Sequence, residues 1–377
     1  MGMLLIAHSV GRAQSTGDPA AEAHVRQGID FVYDLSFDSA RAHFKAVTKL
    51  QPDHPAGYFF LAMVEWWNII IEIDNTSRDD KFLSMLDRVI DVCDKRLDDD
   101  ENDVTAMFFK GGALGFKGRL HGNRGDWLKA ANAGREAMPI VQDAYKLAPG
   151  NNDILLGIGI YNYYAEVVPD QYPVVKPLMV FFPKGDKKKG IEQLQRASDK
   201  AAYANIEATY FLIQVLQNYE ARSAEALALA QRLHKRFPNN VVFHKYIGRC
   251  LSSLGRSNEM GAVFSEVLTG VEHHKRGYDV NTEREARYYL GMAEFDGRND
   301  ETSLQHFYRC DELSRTLDKE SPSGFMVMAN LRVGMIYDAQ SKRELARAQY
   351  NKVLDMNDYR GAHDIAKGYM KTPFARP

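Results

Sequence analysis

Apolar residues recur three and four apart along most of the chain, the period of a helix with one buried face, and turn residues gather between these stretches. The sequence carries no strand-like alternation. One spacing of small and aromatic residues returns several times. Gly28 is followed by Phe31, Ala40, Phe44, Val47 and Pro52, and Gly334 by Tyr337, Ala346, Tyr350 and Val353 at matching offsets. Gly248 leads Leu251, Met260, Phe264 and Val267, and Gly291 leads Ser303, Phe307 and Cys310. A further copy has Gln214 in the glycine's place and keeps Ala226, Ala230, Leu233 and Pro238. Between these copies the helical period predicts looser pairs, 58–74 with 81–97, 103–117 with 129–146, and 153–167 with 190–200. The pattern predicts about eight helical hairpins over residues 20–358, closed by a capping helix at 359–371.

A small residue is needed where two helices cross closely, an aromatic four residues later on the same face fills the space beside it, and proline ends the second helix. These offsets resemble the tetratricopeptide repeat. The resemblance implies an all-α fold, a right-handed superhelical solenoid of tetratricopeptide-like hairpins whose first helices line the concave side. Residues three before, one after and four after each first-helix glycine are then expected to face inward. They are Phe211, Val215 and Asn218; Lys245, Arg249 and Ser252; Tyr288, Met292 and Phe295; and Leu331, Met335 and Asp338. On this reading an apolar segment bearing a carboxylate docks there, with Arg249 making a bidentate contact and Lys245 adding charge. The set differs from the carboxylate clamp of chaperone-binding tetratricopeptide domains, because Tyr288 and Tyr289 stand where polar groups are wanted. The chain's own insertion or capping helix is the competing occupant of this face.

The insertion, 168–189, is the least regular part. A glycine- and aromatic-rich helix runs into an apolar, proline-punctuated stretch at 172–183, followed by lysines and a new helix at Gly190-Ile191. Gly157-Ile158-Gly159-Ile160-Tyr161-Asn162, and Gly185-Asp186 through Gly190-Ile191 to Leu194, together with Trp66-Trp67, resemble the family of the inclusion-body clearance protein and its bacterial relatives. That resemblance implies a helical-repeat fold and an adaptor-like role. The stretch 172–183 is expected to pack as an apolar plug. Its alternative is a lid or a peripheral membrane contact through 172–189, where Lys184 and Lys187 to Lys189 suit anionic headgroups.

Composition narrows the function. The chain is 45% hydrophobic and 26% charged with a net charge of −2, ordinary globular values that argue against nucleic acid as a partner. Acids dominate 65–103 and bases 176–249, read as solvated helix faces and loops, with a polarised surface that steers a partner as the alternative. Gly2 to Ala7 is a short apolar core, and Gly11 and Ala13 are small residues ahead of Gln14. Residues 1–13 are therefore read as a signal-peptide remnant, with a periplasmic or secreted location expected and a cytoplasmic one as the alternative. The inclusion-body family's intracellular eukaryotic members differ in this respect.

Cys93, Cys250 and Cys310 have neither metal nor redox spacing, and sequence leaves their disulfide state open. His273-His274 lacks ligand spacing, and the glycines from Gly111 to Gly122 follow a helix rather than a strand and lack the lysine-serine or lysine-threonine ending of a phosphate loop. Glu65 and Glu72 share one broad helix face, as a carboxylate pair or as a polar stripe, with the stripe preferred. No metal, cofactor or catalytic residue is expected. The expected function is a non-enzymatic scaffold for a protein or peptide. The alternative is a carrier of a small apolar ligand or lipid between the aromatic helices and the insertion.

Overall fold

The structure, a computed structural model, describes residues 15–171, 176, 183–319 and 321–376. Among them all regular structure is helical, with seventeen α-helices and one short 3-10 turn. They fall into two units divided after Glu220. The first holds α1 (Pro19–Tyr33), α2 (Phe37–Leu50), α3 (Pro55–Ile71), α4 (Asp79–Asp99), α5 (Val104–Asn123), α6 (Trp127–Leu147), α7 (Ile154–Gln171), α8 (Lys187–Lys200) and α9 (Asn205–Asn218). The second holds α10 (Ser223–Arg236), α11 (Val241–Ser253), α12 (Ser257–Glu272), α13 (Val280–Asp296), α14 (Asp300–Leu317), α15 (Gly324–Ala339), α16 (Arg343–Leu354) and α17 (Ala362–Lys371). Helices adjacent in sequence within a unit pack as hairpins, and α17 closes the second unit against α16 and α15. The copy led by Gln214 has its first helix in one unit and its second in the other.

The repeat residues do what their sizes allow. A Cβ added to Gly28 would stand 2.4 Å from the Phe44 ring, one on Gly248 2.3 Å from Phe264, one on Gly291 2.8 Å from Phe307 and one on Gly334 2.5 Å from Tyr350. In each copy the second-helix aromatic lies flat on its own first helix, where only a bare Cα leaves room. The four rings are fully buried, as are Ala40, Ser303 and Ala346 one turn before them. Ser303 also donates its hydroxyl to Gly291 O at 2.7 Å. Seven positions after each repeat glycine, or after Gln214, the turn residue takes a left-handed backbone: Leu35, Ala221, Gly255, Arg298 and Ser341. Pro52 and Pro238 lie in the turns beyond α2 and α10, where a missing N–H costs no helical bond.

The glycine-rich words around the insertion are the two sides of one helix crossing. A Cβ on Gly159 would lie 3.1 Å from Gly190 O, and one on Gly190 2.7 Å from Tyr163 N. A Cβ on Gly185 would lie 2.5 Å from Asn162 O, to which Asp186 N donates at 2.9 Å. Asp186 caps α8 by accepting from Lys189 N, so α8 starts at Lys187 and not at Gly190. Lys187 to Lys189 thus form an exposed first helical turn and not a loop. Helix α7 also runs past Val167 through Pro169 to Gln171. Apart from 176 and 183, the stretch 172–183 lies outside the described residues, as does 1–14, and with them the plug and signal-peptide expectations. No helix among the described residues is long and apolar enough to cross a membrane.

In the first unit, α9 lies against the first helices of all four hairpins. Asp153 holds its approach by accepting from Ala202, Tyr203 and Ala204 N at 2.7–2.9 Å. Tyr203 meets Glu22 of α1 and packs edge-on against Phe60 of α3. Buried Glu207 accepts from Tyr33 Oη at 3.0 Å and from Arg119 Nη1 at 2.6 Å. The Arg119 guanidinium lies 4.1 Å from the Phe211 ring centre and 4.7 Å from that of Trp66. Trp67 is wedged between Tyr33 and Tyr210, at 5.1 and 5.5 Å.

His54, the N-cap of α3, is buried and accepts from Ala56 N through Nδ1. Burial pulls its imidazole down to about 4, with Arg96 adding to the shift and Asp103 opposing it. A value lowered in the folded state means that this stabilisation is complete above the ordinary 6.5 and is lost as pH falls towards about 4. His54→Asn keeps a cap oxygen and removes the titration. Denaturant unfolding between pH 6.5 and 4 is expected to lose up to about 1.4 kcal/mol per pH unit of acid sensitivity in this variant. An unchanged slope would mean that His54 is not the group titrating.

Candidate functional site

The charged clusters around Glu207 and Glu65 in the first unit are closed. Glu65 is buried and accepts from Arg41, Arg78 and Lys81 at 3.0–3.2 Å, whereas Glu72 caps α3 and meets Asn75. The two therefore form no carboxylate pair. Helix α9 occupies the side that an apolar carrier would need open. Phe211 and Val215, expected in a groove, are buried in this interior, and Asn218 is exposed at its edge.

The second unit presents a surface built from the first helices α11, α13 and α15. On α11, Lys245 and Arg249 are partly exposed and one turn apart, with Ser252 beyond them. Arg249 does not await a carboxylate, because Glu285 of α13 supplies one. Arg249 Nε and Nη2 donate to its two oxygens at 2.5 and 2.7 Å, and Lys245 Nζ lies 3.3 Å from Glu285 Oε2. Burial pushes the Glu285 carboxyl up, but Arg249 and Lys245 outweigh it and bring it down to about 2. Both cations meet the same carboxylate. Glu285 lies on the α13 face one and two turns ahead of Tyr288 and Met292, so extending the inward-facing positions one turn earlier identifies it.

Tyr288 is half-buried, edge-on to Phe325 at 5.4 Å and to Tyr289 at 5.2 Å, while Tyr289 stacks on Phe264 at 4.5 Å. Met292 beside it is also part-exposed. Farther along, Phe295, Leu331 and Met335 are not open groove positions, because they are buried in the core that α17 completes with Ala362 and Ala366. Asp338 is fully buried and accepts from Arg343, from Tyr350 Oη at 2.8 Å and from Phe374 N at 2.9 Å. Tyr337 is part-exposed and shares a 2.7 Å hydroxyl contact with Tyr308.

The chain beyond α17 is the part that sequence reading passed over. Residues 372–376 leave the helix and lie over the last turns of α13 and α15. Phe374 packs 6.0 Å from Phe295 and 5.4 Å from Tyr369. Arg376 pairs with Asp300, and its guanidinium lies 4.8 Å from the Phe295 ring centre. Thr372, Pro373 and Ala375 are exposed, so alternate side chains anchor the segment.

Residues 25–66 match the tetratricopeptide repeat family. Among curated proteins, none matches the sequence. A tetratricopeptide repeat protein from Parabacteroides merdae aligns at 12% identity over 83% of this chain and 99% of its own, with a TM-score of 0.34. The Rap protein in complex with competence and sporulation factor aligns at 10% identity over 93% of this chain and 96% of its own, with a TM-score of 0.46. Yeast Tom70 aligns at 10% over 93% of this chain and 95% of its own, with a TM-score of 0.28.

Cys93, Cys250 and Cys310 are buried free thiols, each pushed up to about 12 by burial, which leaves them protonated and unreactive at neutral pH. A hollow of about 330 Å³ lies between the turns at Gly255–Glu259 and Asp296–Gly297, and polar side chains line most of it. That lining does not suit an apolar ligand.

Proposed function

We propose that this protein is a non-enzymatic scaffold that binds a protein or peptide on the α11–α13–α15 face of its second unit. One observation carries the reading: the far end of that face already holds polypeptide, residues 372–376, by two side-chain anchors and a backbone bond to Asp338. The nearer end keeps Lys245, Ser252, Tyr288 and Met292 partly exposed beside Arg249 and its carboxylate. An extended segment with an acidic residue among apolar ones suits it. The adaptor role implied by the resemblance to the inclusion-body clearance family is in keeping with this reading, as is export through the N-terminal apolar stretch.

Arg249→Ala is a poor probe, since it strands Glu285. Lys245→Met combined with Met292→Arg alters the open surface, adds no second carboxylate beside Glu285 and keeps its two-bond pair with Arg249. The folded chain is expected to bind acidic-apolar peptides from an array at micromolar affinity by fluorescence polarisation, and the double variant to bind them at least tenfold more weakly. Equal binding by a folded double variant removes this surface from the proposal.

A further inference from the structure

We infer that the cleft formed by Phe295, Asp300 and Asp338 is a receptor for an extended segment of the form aromatic-x-arginine on a partner protein, and that residues 372–376 occupy it in cis until such a partner displaces them. The proposal rests on the scaffold reading above and specifies its ligand at the far end of the same face.

Three features define what the cleft accepts. The first position is read by rings, since Phe374 packs between Phe295 and Tyr369. The second neighbour is read by charge and by a ring face together: Arg376 meets the Asp300 carboxylate while its guanidinium lies 4.8 Å from the Phe295 centroid. Arginine suits both contacts, being planar and always charged, whereas lysine offers only a point charge. The backbone is read by Asp338, whose buried carboxylate accepts from Phe374 N and is itself held by Arg343 and Tyr350. The acceptor is therefore fixed in place whether or not the segment is bound. Ala375 between the anchors faces solvent, so the middle position is unspecified.

The occupant is held lightly compared with the helix it follows. Three of its five described residues are exposed, and neither Ala362 nor Ala366, which seat α17, belongs to it. A segment tethered this closely has an effective concentration of about a millimolar. A free peptide of ordinary micromolar affinity is therefore kept out of the intact chain, and a partner must either present the motif at high local concentration or add contacts elsewhere on the face.

The test uses the full chain and a fluorescein-labelled peptide of the sequence of residues 371–376. Phe374→Ala/Arg376→Ala, and separately the milder Arg376→Glu, release the segment. Both are expected to bind the peptide at least tenfold more tightly than the wild-type chain, with Arg376→Glu protecting the readout if the double variant melts early. Adding Asp300→Ala to a released variant abolishes the gain, as does a peptide with alanine for phenylalanine or lysine for arginine. Binding that is no tighter in either released variant, both folded by thermal melt, overturns the inference. If those variants still bind the acidic-apolar peptides of the preceding test, the scaffold reading survives without this receptor. A wild-type chain that runs as a dimer and becomes monomeric with Arg376→Glu overturns it as well, assigning the cleft to a second copy.

Discussion

Glu285→Ala is expected to lower the stability of the second unit by about 1.5–3 kcal/mol, the cost of removing a buried carboxylate from charged partners that keep part of their solvation. Glu285 is 3% exposed and holds both Arg249 and Lys245, so its removal leaves two partly exposed cations facing each other without the carboxylate between them. Hydrogen exchange of α11 and α13 during urea unfolding reads the effect where it arises. The triple change of Lys245, Arg249 and Glu285 to methionine is expected to recover most of the loss, because an apolar replacement of the whole cluster needs no compensation. A loss below about 0.5 kcal/mol for Glu285→Ala, the range of an ordinary surface change, would sink the reading of a buried, mutually dependent cluster. The same cluster has an acid signature. Its carboxyl is lowered to about 2 from an ordinary 4.5, so its contribution is complete above 4.5 and drains away as pH falls towards 2. The single variant is expected to be flatter than wild type across that window.

Gly248→Leu is the second large effect. The new Cβ would stand 2.3 Å from Phe264, and Phe264 cannot slide aside because Tyr289 is stacked on its ring at 4.5 Å. The expected cost is at the upper end of the about 1–3 kcal/mol typical of overpacking. Phe264→Ala in the same chain makes room, so the double variant is expected to be more stable than the sum of the two single losses. Strict additivity in thermal or denaturant melts would show that the clash is not between these two residues.

The hairpins were legible because the residues that make them act locally. Gly248 and Phe264 lie in one hairpin, and a bare Cα beside a flat ring leaves the same trace at Gly28, Gly291 and Gly334. The glycine words around the insertion were visible for the same reason, although their partner across α7 and α8 was not. What sequence could not give is pairing at a distance. Nothing near Glu207 says that Tyr33 and Arg119 will meet it, so Phe211 and Val215 were assigned to an open groove when they belong to a filled interior. Glu285 was within reach, since it shares the α13 face with Met292, but helix position alone does not reveal that Arg249 will fold back on it. Phe374 and Arg376 lie beyond the last helical period, where hydrophobic spacing carries no signal, and an aromatic and an arginine two apart after a proline are the sign that remains.

The two units differ in when they can be completed during synthesis. Tyr33 finds Glu207, and Glu22 finds Tyr203, only across most of the first unit's length. Until α9 has left the ribosome, Trp67 and Phe60 lack the Tyr210 and Tyr203 rings that cover them, and a nascent chain paused before residue 203 leaves that aromatic surface open. In the second unit only the end under α17 waits for later residues. Each ring closes on the glycine of its own hairpin, so α11 with α12, then α13 with α14, can set as they emerge. A chaperone that follows this protein through translation therefore has its work concentrated before α9, and little of it afterwards.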